Sequence, residues 1–371
     1  MDAVSETNPT IAKLTPLADV LALIDREVQP VAPRNVVPGE ALHRVLAADA
    51  VAAALPRQAL ALIDGWALAA ETTLDAGGYA PALLPNAPMR IEAGQPMPAG
   101  GDCVAPLDAV KVSGDRAEAL AVIAPGDGVL PPGGDSDGNL PLRRAGEKLR
   151  AIDLAVLAAT GISELSVRAP RVHVLALRDD AIIASAARLI AVDAGHRGGE
   201  IVQGNGDLRA ALADDGTDFT VVIGGTGGGR NDTSVATLSR AGRLAVHGIG
   251  LTPGETAAFG FAGTRPVLLL PGRLDAALAV WLTLGRRLLH RLAGGRVFED
   301  PAETLTLARK LVSTVGLAEL IPVRRSGDAV EPLASKYLPF SALGRADGWV
   351  LVPPESEGYS AGAQVSVRPW P

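Results

Sequence analysis

Short, continuous apolar runs alternate with amphipathic stretches through the middle of this chain. Residues 171–177 (RVHVLAL), 219–225 (FTVVIGG) and 266–272 (PVLLLPG) read as buried strands. Each is a brief apolar run, rich in Val, Ile and Leu, bounded by turn residues and without a helical period. Residues 180–193, 233–242 (TSVATLSRAG) and 275–294 carry apolar side chains at helical spacing, the last with a basic final turn. A further short strand is expected at GEIVQGN (199–205). Strands alternating with helices predict a parallel sheet covered on both faces.

The flanks have a different texture. Residues 15–29 predict a helix, with Thr15-Pro16 as cap and first-turn pair. A second helix is expected over Pro38–Ala48, where Leu42, Val45 and Leu46 would share a face. From 51 to 145, short apolar stretches are punctuated by glycine and proline, the pattern of short strands and turns. Residues 146–166 return to helix and stop at Gly161. The tail reverts to strands, notably WVLVPP and AQVSVRPW. The expected layout is a helical domain (1–50 with 145–169), a β-rich domain (51–144), an α/β domain (170–296) and a C-terminal β domain (297–371). The fold class is therefore α/β plus β, in a multidomain subunit.

Composition narrows the function classes. Forty-one acidic against 34 basic residues leave a net charge of −7, which does not supply the broad basic face that nucleic-acid backbones require. The single Cys103 excludes an internal disulfide and a cysteine-based zinc site. The five histidines form no i, i+4 pair, so a zinc centre of the usual kind is not expected. No apolar run is long enough to span a bilayer, and residues 1–10 lack the pattern of a secretory leader. A cytoplasmic protein is expected.

Candidate chemistry concentrates where the buried strands end. VVIGGTGGGRNDTSVATL (221–238) runs from a strand through Gly224, Gly225, Thr226, Gly227, Gly228, Gly229 and Arg230 into a helix. Glycines there can turn backbone N–H groups toward an anion beside a helix N-terminus. The alternative is a plain turn with Asp232 as N-cap. Strand 171–177 ends at Arg178-Asp179-Asp180, and the third strand ends at Pro271-Gly272-Arg273. In an open parallel sheet these loops share one edge, where ligands bind. Asp179 and Asp180 either hold a divalent cation or cap the next helix. In LALIDGWALAA (60–70), Asp64 is either part of a tight turn or an inward-facing carboxylate.

In order along the chain, these pieces resemble the molybdopterin molybdenumtransferase family, represented by bacterial MoeA and the gephyrin E-domain. The likeness runs from about Leu14 to Val367. Ile63-Asp64-Gly65-Trp66-Ala67 sits where the family has Met-Asp-Gly-Tyr-Ala, and AGQPMPAGGDCVAPLDAV (93–110) is similar to its Gly-x-x-x-Pro-x-Gly-Ala-Asp-Ala-Val segment. RVHVLALRDD falls on the strand ending in Ser-Thr-Gly-Asp-Glu, and GGTGGGRND on Gly-Gly-Val-Ser-Val-Gly-Asp-Tyr-Asp. LTPGETAAFG, with Pro253 and Gly254, falls on Lys-Pro-Gly-Lys-Pro-x-x-x-Gly. LPGRLDAAL falls on Leu-Pro-Gly-Asn-Pro-Val-Ser. Gly-Gly-Thr-Gly followed by Asp232-Thr233 also resembles the loop of the sister adenylyltransferase domain (the MogA type), which shares the α/β core.

The resemblance implies an elongated homodimer with a MogA-like α/β domain that binds molybdopterin or its adenylylated form. It further implies magnesium-dependent insertion of molybdate, with Asp64, Asp179, Asp180 and Asp232 as catalytic residues and Asp179 and Asp180 as metal ligands. It assigns cofactor binding to residues 224–230, Pro253, Gly254, Pro271, Gly272 and Arg273. The departures are equally specific. Ala59-Leu60-Ala61 replaces Asp-Asn-Ser, and Ala176-Leu177-Arg178 replaces Ser-Thr-Gly. Arg230 stands for the first Asp of Gly-Asp-Tyr-Asp, Thr252 and Glu255 for two lysines, and Arg273-Leu274 for Asn-Pro. An arginine opposes a cation but suits a phosphate. The expected function is therefore a molybdopterin or molybdenum-cofactor carrier or assembly factor for a molybdenum or tungsten client enzyme, with impaired metal insertion. An active transferase and a dimeric scaffold are the alternatives.

Overall fold

The computed structural model describes residues 7–202, 206–296 and 301–371. The chain forms two compact units. The larger comprises residues 1–48, 145–150 and 166–371, and the smaller residues 49–144 and 151–165.

A six-stranded sheet dominates the larger unit. Its strands are β1 (Arg171–Ala176), β2 (Glu200–Val202), β3 (Phe219–Ile223), β4 (Arg243–His247), β5 (Ala258–Ala262) and β6 (Arg265–Leu270), in the order β2-β1-β3-β6-β5-β4. The first four in that order are parallel, as alternation with helices predicts. β5 runs antiparallel to both of its neighbours, β6 and β4, so the sheet is mixed rather than purely parallel. Residues 243–262 form this hairpin side because Arg243–His247 pairs with Phe261 back to Ala258, a local return that needs no crossover helix.

Helices α1 (Ala181–His196), α2 (Leu208–Ala213), α3 (Ser234–Ala241), α4 (Leu274–Val280) and α5 (Arg286–Ala293) cover both faces. Residues alternate across the strands accordingly. Val172, Val221, Ile223, Leu268 and Leu270 pack with α1, α4, α5 and the helix Leu17–Glu27. Leu175, Val222, Val267 and Leu269 pack with α2 and α3. A π-helical segment, Trp281–Gly285, joins α4 to α5; residues 275–285 are buried throughout, and α5 is amphipathic, with Leu288, Leu289 and Leu292 buried and Arg287, His290 and Arg291 half-exposed. It ends at Gly294, which is left-handed at φ +67°.

One buried ion cluster fastens α1 to this run. Asp193 accepts from Arg286 Nη2 at 2.7 Å, Arg286 Nε at 3.0 Å and Trp281 Nε1 at 2.7 Å. The Arg286 side chain is only 2% exposed. Burial pushes the Asp193 pKa up, but the Arg286 bonds outweigh it and hold the carboxyl below its ordinary value.

Strands of the tail close into a barrel. Ala318–Ser326, Ala329–Pro332, Glu303–Leu307, Gln364–Pro369 and Gly348–Val352 pair in succession, and the last returns to the first. Strand Ile249–Thr252 extends that sheet, pairing with Ala318–Glu319 on one side and Thr15–Pro16 on the other.

Near the N-terminus the helix expected over 15–29 forms as Leu17–Glu27 without its expected cap, and the second expected helix fails. Thr15-Pro16 is a strand, and Leu17–Glu27 begins without a side-chain cap. Pro38–Ala48 is a single 3-10 turn at Pro38–Glu40 followed by strand Val45–Leu46. Val45 and Leu46 are both buried and pair with Arg168 and Val167, and Leu42 points to solvent. Tertiary pairing outbids the weak local periodicity.

The smaller unit is β-rich, as its turn-laden sequence predicts. Gly65–Leu68 pairs with Met89–Ile91 and Cys103–Pro106, and Val110–Ser113 forms a hairpin with Arg116–Ala119. Helix Ala151–Ala159 belongs to the same unit and is shorter than the 146–166 stretch suggests. Cys103 lies at its centre, where burial pushes the thiol up to about 11.

Candidate functional site

The carboxyl ends of β1, β3 and β6 open into a cleft of about 580 Å³. Its floor is backbone. Gly224 and Gly225 follow β3 at φ +101° and +75°, a conformation that L residues rarely adopt. This turns the chain out of the sheet, and Gly224 N still donates to Leu270 O at 2.9 Å. Thr226 and Gly227 continue the floor, and Thr226 Oγ1 lies 3.1 Å from Thr256 Oγ1. Half-buried His247, in β4, has its pKa pushed down by burial, partly offset by a hydrogen bond to the Thr226 backbone.

Charged side chains stand around this floor, each already matched. Arg178 Nη2 donates to Asp232 Oδ1 at 2.6 Å, and Gly229 N donates to Asp232 Oδ2 at 3.1 Å. Arg273 Nε donates to Asp275 Oδ1 at 3.1 Å, with a second bond from Nη2 to Oδ2. The bond to Asp275 raises the pKa of Arg273, so the guanidinium stays charged. Asp275, almost fully buried, also accepts from Leu338 N at 3.1 Å, which brings the tail segment 337–340 to the rim. There the guanidinium of Arg273 lies 5.0 Å from the Tyr337 ring, a cation–π distance.

Asp180 caps the helix that follows it. Its Oδ1 accepts from Ile182 N at 2.9 Å and Ile183 N at 3.1 Å, the geometry of an N-cap for α1. Asp179 is exposed beside it and does not line the cleft. Among the described residues, no three His, Cys, Asp or Glu side chains gather as a metal site would require. The carboxylates that magnesium would need are divided between a helix cap and a guanidinium. The donor set does not fit the ion.

Asp232 does not cap α3. The cap position of α3 is Thr233, whose side chain makes no capping bond. The cap comes instead from Asn8, whose Oδ1 accepts from Val235 N at 3.1 Å and Ala236 N at 3.2 Å.

Of the residues singled out in the sequence, Asp180, Gly224, Gly225, Thr226, Gly227, Asp232, Pro271, Gly272 and Arg273 line the cleft together. Arg178, noted as a strand end, joins them. Gly228, Gly229 and Arg230 sit at the exposed loop tip. Pro253 and Gly254 are buried behind the cleft, where a Cβ on Gly254 would stand 2.7 Å from Val280 Cγ2. Beside them Thr252 Oγ1 donates to Glu255 Oε1 at 2.6 Å, so both residues at the former lysine positions are occupied with their own loop. Asp64 belongs to the smaller unit, in an exposed turn where its Oδ1 accepts from Ala93 N at 2.8 Å. Gly65 beside it is enforced, since a Cβ there would stand 2.2 Å from Ala105 O. Thr256, Asp275, Tyr337 and Phe340 were not legible as site residues, because they arrive from separate elements without a shared motif.

Comparison with known proteins gives one consistent picture. Three family models match in succession: the MoeA N-terminal region (domain I and II) over residues 15–161, a probable molybdopterin binding domain over 184–291, and the MoeA C-terminal region (domain IV) over 304–370. A putative molybdopterin biosynthesis protein of Methanocaldococcus jannaschii is 26% identical over 377 residues, covering 88% of this chain and 90% of the relative. Molybdopterin molybdenumtransferase 1 of Mycobacterium tuberculosis is 26% identical over 340 residues, covering 80% and 77%. A crystal structure of the molybdopterin biosynthesis moeA protein from Pyrococcus horikoshii OT3 superposes with a TM-score of 0.77 at 22% identity, covering 96% of this chain and all of that one. That likeness establishes the fold. No helix among the described residues is long and apolar enough to cross a membrane.

Proposed function

We propose that this chain, which belongs to the MoeA family of molybdenum cofactor biosynthesis proteins, binds molybdopterin or the finished cofactor in the β1/β3/β6 cleft and carries it without efficient metal insertion. The observation that carries this reading is the Arg178–Asp232 pair at 2.6 Å. Asp232 is the carboxylate retained at the end of the family's loop motif, and here a guanidinium from the end of β1 neutralises it. Arg273, with Asp275 as counterion, stands across the same cleft. Two arginines beside a floor of left-handed glycines suit the phosphate of a pterin ligand, because a fork of N–H donors matches phosphate geometry. A divalent cation in that position would meet the Arg178 charge.

The residues then act as follows. Backbone N–H groups of residues 225–227 receive the phosphate, and Arg178 and Arg273 orient it. Thr226 and Thr256 supply hydroxyls to the polar part of the ligand. Asp180 holds α1 in register and transfers no proton. A homodimer in the cytoplasm that hands its ligand to a molybdenum or tungsten client enzyme completes the proposal.

Complementation of a strain lacking its molybdenumtransferase tests the reading, together with titration calorimetry using molybdopterin. Binding without restored molybdoenzyme activity is the expected result. Restored activity that disappears with Asp64→Ala would instead establish an active transferase, a reading favoured by the presence of Asp64, Asp179, Asp180 and Asp232. Absence of binding would leave the scaffold.

A further inference from the structure

The glycine loop is not held by its own residues alone. Asn8, 217 positions before Gly225, places its carboxamide against the loop with every hydrogen-bonding group used. Nδ2 donates to Gly225 O at 2.7 Å and to Gly227 O at 2.9 Å. Oδ1 accepts from Val235 N and Ala236 N, the second and third residues of α3. The Asn8 backbone N donates to Asp232 O at 3.2 Å. One side chain thus joins the start of the loop, its middle and the helix that follows.

The segment carrying Asn8 is itself anchored. Thr15 N donates to Gly248 O at 2.9 Å, and Thr15–Pro16 pairs with Ile249–Gly250. Ile11 sits directly over Gly248, where a Cβ would come within 2.5 Å of Ile11 Cγ2. Residues 8–16 therefore form a strap fixed at both ends.

The peptide group is planar and trans, so a carbonyl and the following N–H point in opposite directions. Drawing Gly225 O, which Ser234 N and Oγ also hold, and Gly227 O toward Asn8 turns the N–H groups of Thr226 and Gly228 away from the strap. Thr226 and Gly227 line the cleft. Capping also occupies two N–H groups at the start of α3, which removes them as anion donors and leaves that role to the loop.

We infer that Asn8 is a positioning residue for the cleft. It sets which way the loop peptides face, and hence how the loop receives the phosphate of molybdopterin. The affinity arm of this inference rests on the proposed function; the conformational arm does not.

Two variants of the full chain separate positioning from simple capping. Asn8→Ala removes both halves of the carboxamide's work. Asn8→Asp keeps an acceptor for α3, in a position favourable to negative charge, but has no N–H for the two carbonyls. In the ligand-free protein, Asn8→Ala is expected to speed amide exchange at least tenfold at Gly224 and Gly229, the loop amides with acceptors, and at Val235 and Ala236. Asn8→Asp is expected to restore protection at Val235 and Ala236 while Gly224 and Gly229 stay fast. In titrations with molybdopterin, both variants are expected to bind at least tenfold more weakly than wild type. Wild-type affinity in Asn8→Asp, or equal recovery of loop and helix exchange, overturns the inference and reduces Asn8 to a cap. Unchanged exchange in Asn8→Ala overturns it as well. A wild-type protein that does not bind molybdopterin refutes the proposed function, and the exchange comparison then decides the role of Asn8 by itself.

Discussion

Gly225→Ala measures how far recognition depends on the shape of the loop. Gly225 has φ +75°, and an alanine held there costs about 1–2 kcal/mol. The added Cβ would lie 3.2 Å from Leu177 Cδ1 and 3.3 Å from Ser234 Oγ. Leu177 is half-buried and can shift. Ser234 is fully buried and donates to Gly225 O at 2.7 Å, so displacing it sacrifices a hydrogen bond, roughly 0.5–1.5 kcal/mol. The combined penalty is about 1.5–3.5 kcal/mol. A free loop escapes it by relaxing, and the ligand must then drive the loop back. The strain therefore appears as lost affinity, about 10- to 400-fold at 1.36 kcal/mol per factor of ten. Gly228→Ala is the matched control, since a Cβ there meets nothing within 4 Å. Calorimetric titration of both variants with molybdopterin, alongside circular dichroism to confirm the fold, provides the comparison. Equal affinities for the two folded variants would falsify the idea that the left-handed turn shapes the site.

Three further outcomes follow from named contacts. Asp232→Asn frees Arg178 and should bind molybdopterin within about threefold of wild type or more tightly; a loss beyond tenfold by calorimetry would mean that the carboxylate serves a cation after all. Asp193→Ala removes the carboxylate that accepts from the buried Arg286 guanidinium and from Trp281, and should destabilise α1 and α5 by roughly 3–5 kcal/mol. Residue-level hydrogen exchange reads this loss, and a change below about 1 kcal/mol there counts against the clasp. His173 is buried with neither ring nitrogen hydrogen-bonded, and burial pushes its pKa down. Below about pH 6.5 the unfolded chain takes up a proton that the folded chain refuses, so stability falls as pH drops from 7 to 5. His173→Leu should flatten that slope in urea unfolding; an unchanged slope argues against it.

The buried strands were legible because burial on both faces forces continuous apolar sequence. FTVVI and RPVLLL have few other fates once bounded by glycine. The antiparallel pair β4 and β5 was not legible, since RLAVH and AFGFA are short and the second is interrupted by Gly260. Pro38–Ala48 misled for the opposite reason: its helical spacing is real, but burial of Val45 and Leu46 against Val167 decides their conformation. At the cleft, strand ends could be identified from topology alone, because parallel sheets gather them on one edge. The partners of those residues could not. Asp232 reads as a helix cap until Arg178 and Asn8 are seen beside it, and neither carries a local signal for that contact.

Strand Ile249–Thr252 has a consequence for how this chain can be divided. It leaves the six-stranded sheet region and is hydrogen-bonded on one side to the first strand of the chain and on the other to the barrel. A fragment of residues 170–296 would lose both neighbours and expose a bare edge of Ile249, Gly250 and Leu251. Such edges recruit other chains. Excised that way, the α/β module should associate or precipitate unless residues 8–16 are supplied to cover one side. Its solubility is thus a property of the polypeptide's two distant ends, and a gene split at the apparent domain border would not yield two independent proteins.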